Sequence, residues 1–267
     1  METLTFEKQV ASKRWREQTF CVLGAPKIGK SELFSVGEGS LFLDIEGNLS
    51  HLEVSKFPKK RPFVDWDELE ATVNQLVMMK QKGTFPPHID TVVLDTATRL
   101  TQLAADKTVE IFNNKFKDKN WETIEEISLG GDKGSPGWAV RTNLIDGLLG
   151  KLKQLECAIV VIAHMEHKKI KNDVGVEIDK QTIDIGGQLG KAYLRYSKHI
   201  LNIIGQIGAD SIITRTVRAL PTASIEAGSH GLLIPDRWVL ENPKSRKPED
   251  MKAAAIANYT KLRSFFE

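Results

Sequence analysis

The segment Gly24, Ala25, Pro26, Lys27, Ile28, Gly29, Lys30, Ser31 meets every fixed position of the pattern GxxxxGK[ST] and directly follows the apolar run Phe20–Leu23. A buried strand ending in such a loop leaves few folds open. The glycines let backbone N–H groups converge on phosphate oxygens, the following helix contributes its positive end, and the lysine reaches the β and γ phosphates. Residues 24–31 are therefore expected to hold a nucleoside triphosphate, with Ser31 on Mg²⁺.

Further runs of β-branched and large apolar residues lie at Leu41–Ile45, Thr91–Leu94, Ala158–Ala163, His199–Ile204 and Ser211–Val217, with helical patterns between most of them. Continuous apolar strands alternating with helices predict an α/β fold, a mostly parallel sheet covered on both faces. One helix is expected from Trp66 to Lys82, with Asp65 as cap and Gly83 past its end, and a second from Thr98 to about Asn113. A third runs from Trp138 to Leu155, with Val140, Leu144, Leu148, Leu152 and Leu155 on one stripe. A last helix at about 248–266 would dock on a single domain spanning 1–267.

The balance of 37 basic and 35 acidic residues in 267 means that any nucleic-acid surface must be a local patch. Cys21 and Cys157, the only two cysteines, sit in apolar runs and read as buried thiols, not a disulfide framework. No apolar stretch approaches the roughly 18 residues of a membrane span, so the expectation is a cytoplasmic protein with no membrane partner.

Hydrolysis needs more than a phosphate loop. Asp95 ends the run from Ile89, where an aspartate holds the hydration shell of Mg²⁺ beside the loop. Asp44 and Glu46 end the run from Leu41 at the carboxyl edge of the sheet, where ligands of α/β proteins bind, and Glu46 is the candidate for positioning the attacking water. His164 closes Ala158–Ala163 and should project at the same edge, toward the γ phosphate. His164 and His167 lack the i, i+4 spacing of a zinc helix.

Two segments carry no clear regular pattern and read as functional loops: Lys115–Gly137, with Lys115, Lys117, Lys133 and Trp121, and Met165–Gly187, with Lys168, Lys169 and Lys171. Their lysines suit non-specific attraction to a phosphate backbone, and Trp121 or Trp138 suits base stacking. Glu122, Glu125, Glu126, Asp173, Glu177 and Asp179 interleave with them, so neither segment is a clean basic track.

The phosphate loop, Leu41–Leu49, Ile89–Asp95 and Ala158–His164 together resemble the RecA-like core. More closely they resemble small phage-encoded RecA-fold ATP-binding proteins of the single-strand annealing and recombination type, over about Gln18 to Leu220. The resemblance implies ATP and Mg²⁺ as cofactors, Glu46 as the catalytic glutamate, and two single-stranded DNA loops matching Lys115–Gly137 and Met165–Gly187. It also implies assembly of copies into a ring or filament, a single-strand binding protein as partner, and the host cytoplasm as location. The chain departs from those proteins at residues 225–231, where a basic element able to reach a neighbour's γ phosphate is replaced by a stretch containing His230; Arg215 and Arg218 are the nearest arginines.

Two other readings compete. A nucleotide-dependent switch or motor acting on a protein partner in replication, like a helicase loader, would share the phosphate loop without binding DNA. A small-molecule kinase would need an arginine-rich lid, and these loops are arginine-poor. Guanine selection by Asn-Lys-x-Asp is not met, because Asn114 to Asp118 holds one residue too many.

Overall fold

All six residues of strand β1 (Thr19–Gly24) are buried, as the continuous apolar run requires, and β1 lies between two parallel neighbours. The computed structural model describes residues 12–129, 136–171, 175, 177–207, 213–222, 224–229, 234–245 and 247–266. In chain order β1 is followed by α1 (Lys30–Ser35), β2 (Ser40–Asp44), β3 (Ser55–Phe57), α2 (Trp66–Gln81), β4 (Thr91–Asp95), α3 (Ala97–Lys115), α4 (Ile124–Leu129) and α5 (Pro136–Lys153). Then come β5 (Ala158–Lys171), β6 (Glu177–Ile183), α6 (Gly187–Tyr196), β7 (His199–Ile207), β8 (Ile213–Arg218), β9 (Gly228–Ser229), β10 (Arg237–Val239) and α7 (Pro248–Arg263).

The sheet order is β10-β8-β7-β1-β5-β4-β2-β3, with β6 on β5 and β9 on β7. Strands β3, β2, β4, β5, β1 and β7 run parallel, and β8 and β10 add an antiparallel edge. This is the mostly parallel, helix-flanked sheet of a P-loop NTPase core. Alternation divides the core into two faces. Cys21, Leu23, Val92, Leu94, Ile159 and Val161 face α2, α3, α5 and α6, while Phe20, Val22, Phe42, Val160 and Ile162 face α1 and α7.

The order matters for function because β5 separates β1 from β4. Gly24 pairs in register with His164 and Asp95 with Ile162, so the tips of β1, β5, β4 and β2 line one carboxyl edge at the usual ~4.8 Å strand spacing. Helix α7 closes the opposite flank through Trp15, whose indole donates to Thr91 Oγ1 at 2.8 Å and packs edge-on against Tyr259 and Phe266.

Expected helices begin and end within three residues of the observed ones, α7 stopping at Arg263 short of the expected 266, and the Asp65 carboxylate accepts from the Glu68 N–H at 2.8 Å as a cap. The two irregular segments differ from expectation. Met165–Lys171 continues β5 and pairs antiparallel with β6, making a hairpin that projects past the sheet edge. Beyond the Met165–Ile183 and Ile170–Ile178 pairs the ribbon is polar on both faces, so its ladder rests on backbone bonds and cross-strand pairs such as Lys169 with Asp179, and leaves little apolar alternation in the sequence. In the other segment α3 runs on to Lys115 and α4 forms over Ile124–Leu129, because Ile124 and Ile127, one helical turn apart, are both buried. Lys133, His230 and most of the turn expected at 172–175 lie outside the described residues.

Candidate nucleotide site

The phosphate loop joins the tip of β1 to the first turn of α1, and two of its residues, Lys27 at φ 61° and Gly29 at φ 97°, are left-handed. Left-handed residues in such a turn aim successive N–H groups into one concavity, an anion-binding shape. Lys30 opens α1 with 5% of its surface exposed, and its ammonium donates to the Gly24 and Ala25 carbonyls at 2.9 and 2.8 Å. Burial lowers the Lys30 pKa to about 8, opposed by the neighbouring Asp95 and Glu46 carboxylates.

Ser31, one residue on, donates to Asp95 Oδ2 at 2.6 Å. Burial raises the Asp95 pKa, against the Ser31 hydrogen bond that lowers it. Beside them, Ile45 and Glu46 both donate their backbone N–H to the Asp95 carbonyl, at 2.9 and 3.0 Å, which ties the tip of β2 to the tip of β4.

Two hydrogen bonds hold the Glu46 side chain, one from Thr96 Oγ1 at 2.8 Å and one from Asn48 Nδ2 at 2.9 Å. His164 Nε2 stands 3.7 Å from its Oε2, an electrostatic contact longer than a hydrogen bond. That ring lowers the Glu46 pKa; burial opposes it and Thr96 adds to it. The other ring nitrogen of His164, Nδ1, is buried without a hydrogen-bond partner among the described residues.

Asp44 is occupied elsewhere. Fully buried, it accepts from Lys56 Nζ at 2.6 Å and from the Gly47 N–H at 2.8 Å, and so shapes the turn that presents Glu46. The side chains of Lys30, Ser31, Asp95, Glu46 and His164 thus converge, brought together from the ends of four parallel strands.

On the outer side of the loop Arg215, on β8, reaches its own chain's phosphate loop. Its Nη1 lies 3.5 Å from the Ile28 carbonyl and 3.8 Å from Glu32 Oε2, while Nη2 donates to the Glu241 carbonyl at 3.1 Å. Arg218, three residues on, emerges on the opposite sheet face. A cleft of about 640 Å³ borders Lys27–Gly29 beside Arg215, with Leu33, Ile213, Leu240 and Met251 as apolar walls and Asn258 at its polar end. Such a mainly apolar volume with a few polar groups suits a small organic ligand.

The lysines expected on DNA are not one surface. Lys115 lies over the Phe116 ring at 5.3 Å, next to a cluster in which Trp121 packs edge-on against Phe112 and Phe116, and Lys117 is exposed in the turn that follows. On the ribbon, strand alternation puts Lys169 and Lys171 on one face and Lys168, ion-paired with Glu166, on the other. The same alternation separates His164 from His167. Thr96, Asn48 and Lys56 were not singled out in the sequence; the only signal for Thr96 is its place directly after Asp95.

A family model described as an AAA domain matches residues 16–229. No curated protein matches the chain. Among solved structures, the KaiC-like protein of the hyperthermophilic archaeon Pyrococcus horikoshii OT3 aligns over 76% of this chain and 77% of that one, with 9% sequence identity and a TM-score of 0.38. Among the described residues no helix is long and apolar enough to cross a membrane. The family match takes in the phosphate loop, Glu46, Asp95 and His164, and with it the chain belongs to the AAA domain family, as a nucleotide-binding P-loop ATPase.

Proposed function

We propose that the protein hydrolyses Mg-ATP and uses the nucleotide state to control binding of single-stranded DNA, in the manner of annealing and recombination proteins. The observation that carries this reading is the continuity of β5. The strand that places His164 against Glu46 runs without a break into the lysine-bearing hairpin, so a shift at the nucleotide's edge has a rigid path to the ribbon.

In this reading the loop N–H groups and Lys30 bind the phosphates, and the cleft beside Arg215 takes the nucleoside. Ser31 and Asp95 fit Mg²⁺, since a hydroxyl and a carboxylate 2.6 Å apart are the hard oxygen donors that ion prefers, Asp95 acting through water. Held there, Mg²⁺ would supply charge neutralisation at the phosphates. Glu46, ionised and held by Thr96, orients the hydrolytic water and accepts its proton. Ring or filament assembly, and a single-strand binding protein as partner, belong to the same reading and rest on the resemblance.

The interleaved charge of the ribbon, with Glu166 paired to Lys168 and Asp179 opposite Lys169, favours a second reading in which the hairpin contacts a replication protein instead. Fluorescence anisotropy of labelled single-stranded DNA, with and without Mg-ATP, at low and moderate salt, separates the two. ATP-dependent, salt-sensitive binding that Lys30→Ala abolishes supports the DNA reading. Intact ATP binding with no DNA binding in any condition moves the assignment to the protein-directed switch.

A further inference from the structure

A second cleft, of about 350 Å³, lies away from the nucleotide site, between the β5–β6 ribbon and the outer strands of the sheet. Its floor is Ile204, Gln206, Thr216, Arg218 and Arg237, and its wall includes His167, Asp179 and Gln181 from the ribbon. By alternation these floor residues belong to the sheet face that α2, α3, α5 and α6 cover farther in. Here no lining residue lies on a helix, and the face displays polar side chains instead.

Arg218 and Arg237 are directly opposite each other in the antiparallel β8–β10 register. Like charges in that relation destabilise a sheet. Neither guanidinium has a hydrogen bond or ion pair to a side chain among the described residues, although both reach the cleft, and Asp179 is the one carboxylate among the lining residues. An uncompensated arginine pair in a concave site calls for an external anion, and guanidinium groups match phosphate in shape as well as charge. Cations continue beyond the cleft: Lys169 and Lys171 share a ribbon face with His167 and lie along a line instead of surrounding one point, each with a carboxylate opposite it in register, Asp179 and Glu177.

We propose that this cleft seats the backbone phosphates of a single-stranded nucleic acid, with Arg218 and Arg237 as the principal phosphate-binding pair. Gln181, Gln206 and Thr216 stand beside them as hydrogen-bonding neighbours, and Lys169 and Lys171 carry the strand outward along the ribbon. The proposal rests on the DNA-binding reading above but assigns the dominant contacts to arginines of the sheet edge.

The test compares R218Q/R237Q with a control of equal charge change, K59Q/K60Q, two exposed lysines just past β3 at the opposite edge of the sheet. Binding of labelled oligo(dT) is titrated across salt concentrations with Mg-ATP present, alongside ATP affinity and thermal midpoint as checks of folding. For two lost phosphate contacts the slope of log affinity against log salt should flatten by about 1.4, at roughly 0.7 per contact on single strands. Affinity at moderate salt should fall at least tenfold in the arginine variant and less than threefold in the control. Wild-type binding with an unchanged slope in R218Q/R237Q overturns the cleft while leaving the DNA reading standing, as does an equal loss in both double variants. A wild-type protein that binds ATP but no oligo(dT) overturns both. Inorganic phosphate competing as well as oligo(dT), at equal phosphate concentration, would mark a free-anion site and overturn the strand.

Discussion

Ser31 and Asp95, separated by 64 positions in the chain, meet at 2.6 Å, the serine hydroxyl donating to the buried carboxylate. This bond joins the first turn of α1 to the tip of β4 across the end of β5. It also places two oxygen donors side by side where the phosphate loop opens.

Removing the carboxylate should therefore separate nucleotide binding from metal use. In Asp95→Ala, ATP should still bind when Mg²⁺ is chelated, because the loop N–H groups and Lys30 remain. The gain in affinity on adding Mg²⁺ should shrink at least tenfold. Titration with and without a chelator reads both numbers, and an undiminished Mg²⁺ increment would remove Asp95 from the metal site.

Glu46→Gln keeps the side-chain shape and an oxygen for the Thr96 hydroxyl, but it cannot accept a proton. ATP affinity should stay within about twofold of wild type while turnover falls at least tenfold, a floor set below the roughly 10²–10⁴-fold that a general base contributes. Because His164 holds the Glu46 pKa below the ordinary carboxylate value, against burial, turnover at neutral pH should not rise with increasing pH on this group's account. Normal turnover in Glu46→Gln would exclude the residue from the mechanism.

Lys30 gives the pH dependence its sign. Its pKa is lowered to about 8 in the folded protein, so near that pH a growing fraction of the free protein carries a neutral amine. Phosphate requires the ammonium, so ATP binding should take up a proton and weaken as pH rises above about 8, approaching tenfold per unit. For folding the sign is opposite. A lysine whose folded pKa is depressed makes the native state more stable as pH rises from about 8 toward the unfolded value of 10.5. Calorimetric titration in two buffers of different ionisation enthalpy measures the proton uptake directly; no uptake at pH 8.5 would contradict it.

Much of this site was legible in the sequence because strand ends announce themselves. Apolar runs that stop at Gly24, Asp44, Asp95 and His164 specify parallel strands whose polar successors share an edge, whatever the order of strands between them. The order itself was not readable, and only it shows that His164 falls beside Glu46. The ribbon was missed for a physical reason: a strand pair with mostly polar groups on both faces has only a faint apolar period, and its pairing is recorded in cross-strand partners 6 to 18 residues apart. Arg215 was legible as an arginine near the site and not as a contact of its own loop, since the face a strand residue takes follows from register.

That contact supplies a last, structural prediction. Gly29 sits at φ 97°, and a β-carbon there would come within 2.5 Å of Arg215 Nη1. Gly29→Ala thus meets two penalties: the left-handed backbone, about 1–2 kcal/mol for an L residue, and displacement of the arginine from Ile28, Glu32 and Glu241. The backbone part alone should lower the thermal midpoint by about 2–4 °C per kcal/mol in a chain of this size. Arg215→Ala alone loses the tie between the phosphate loop and β8 without straining the loop. In the double variant the clash has no partner, so its loss of stability should be smaller than the sum of the two single losses by about 0.5–3 kcal/mol. Strict additivity would show that the arginine does not rest on Gly29, and that only the backbone angle makes glycine necessary there.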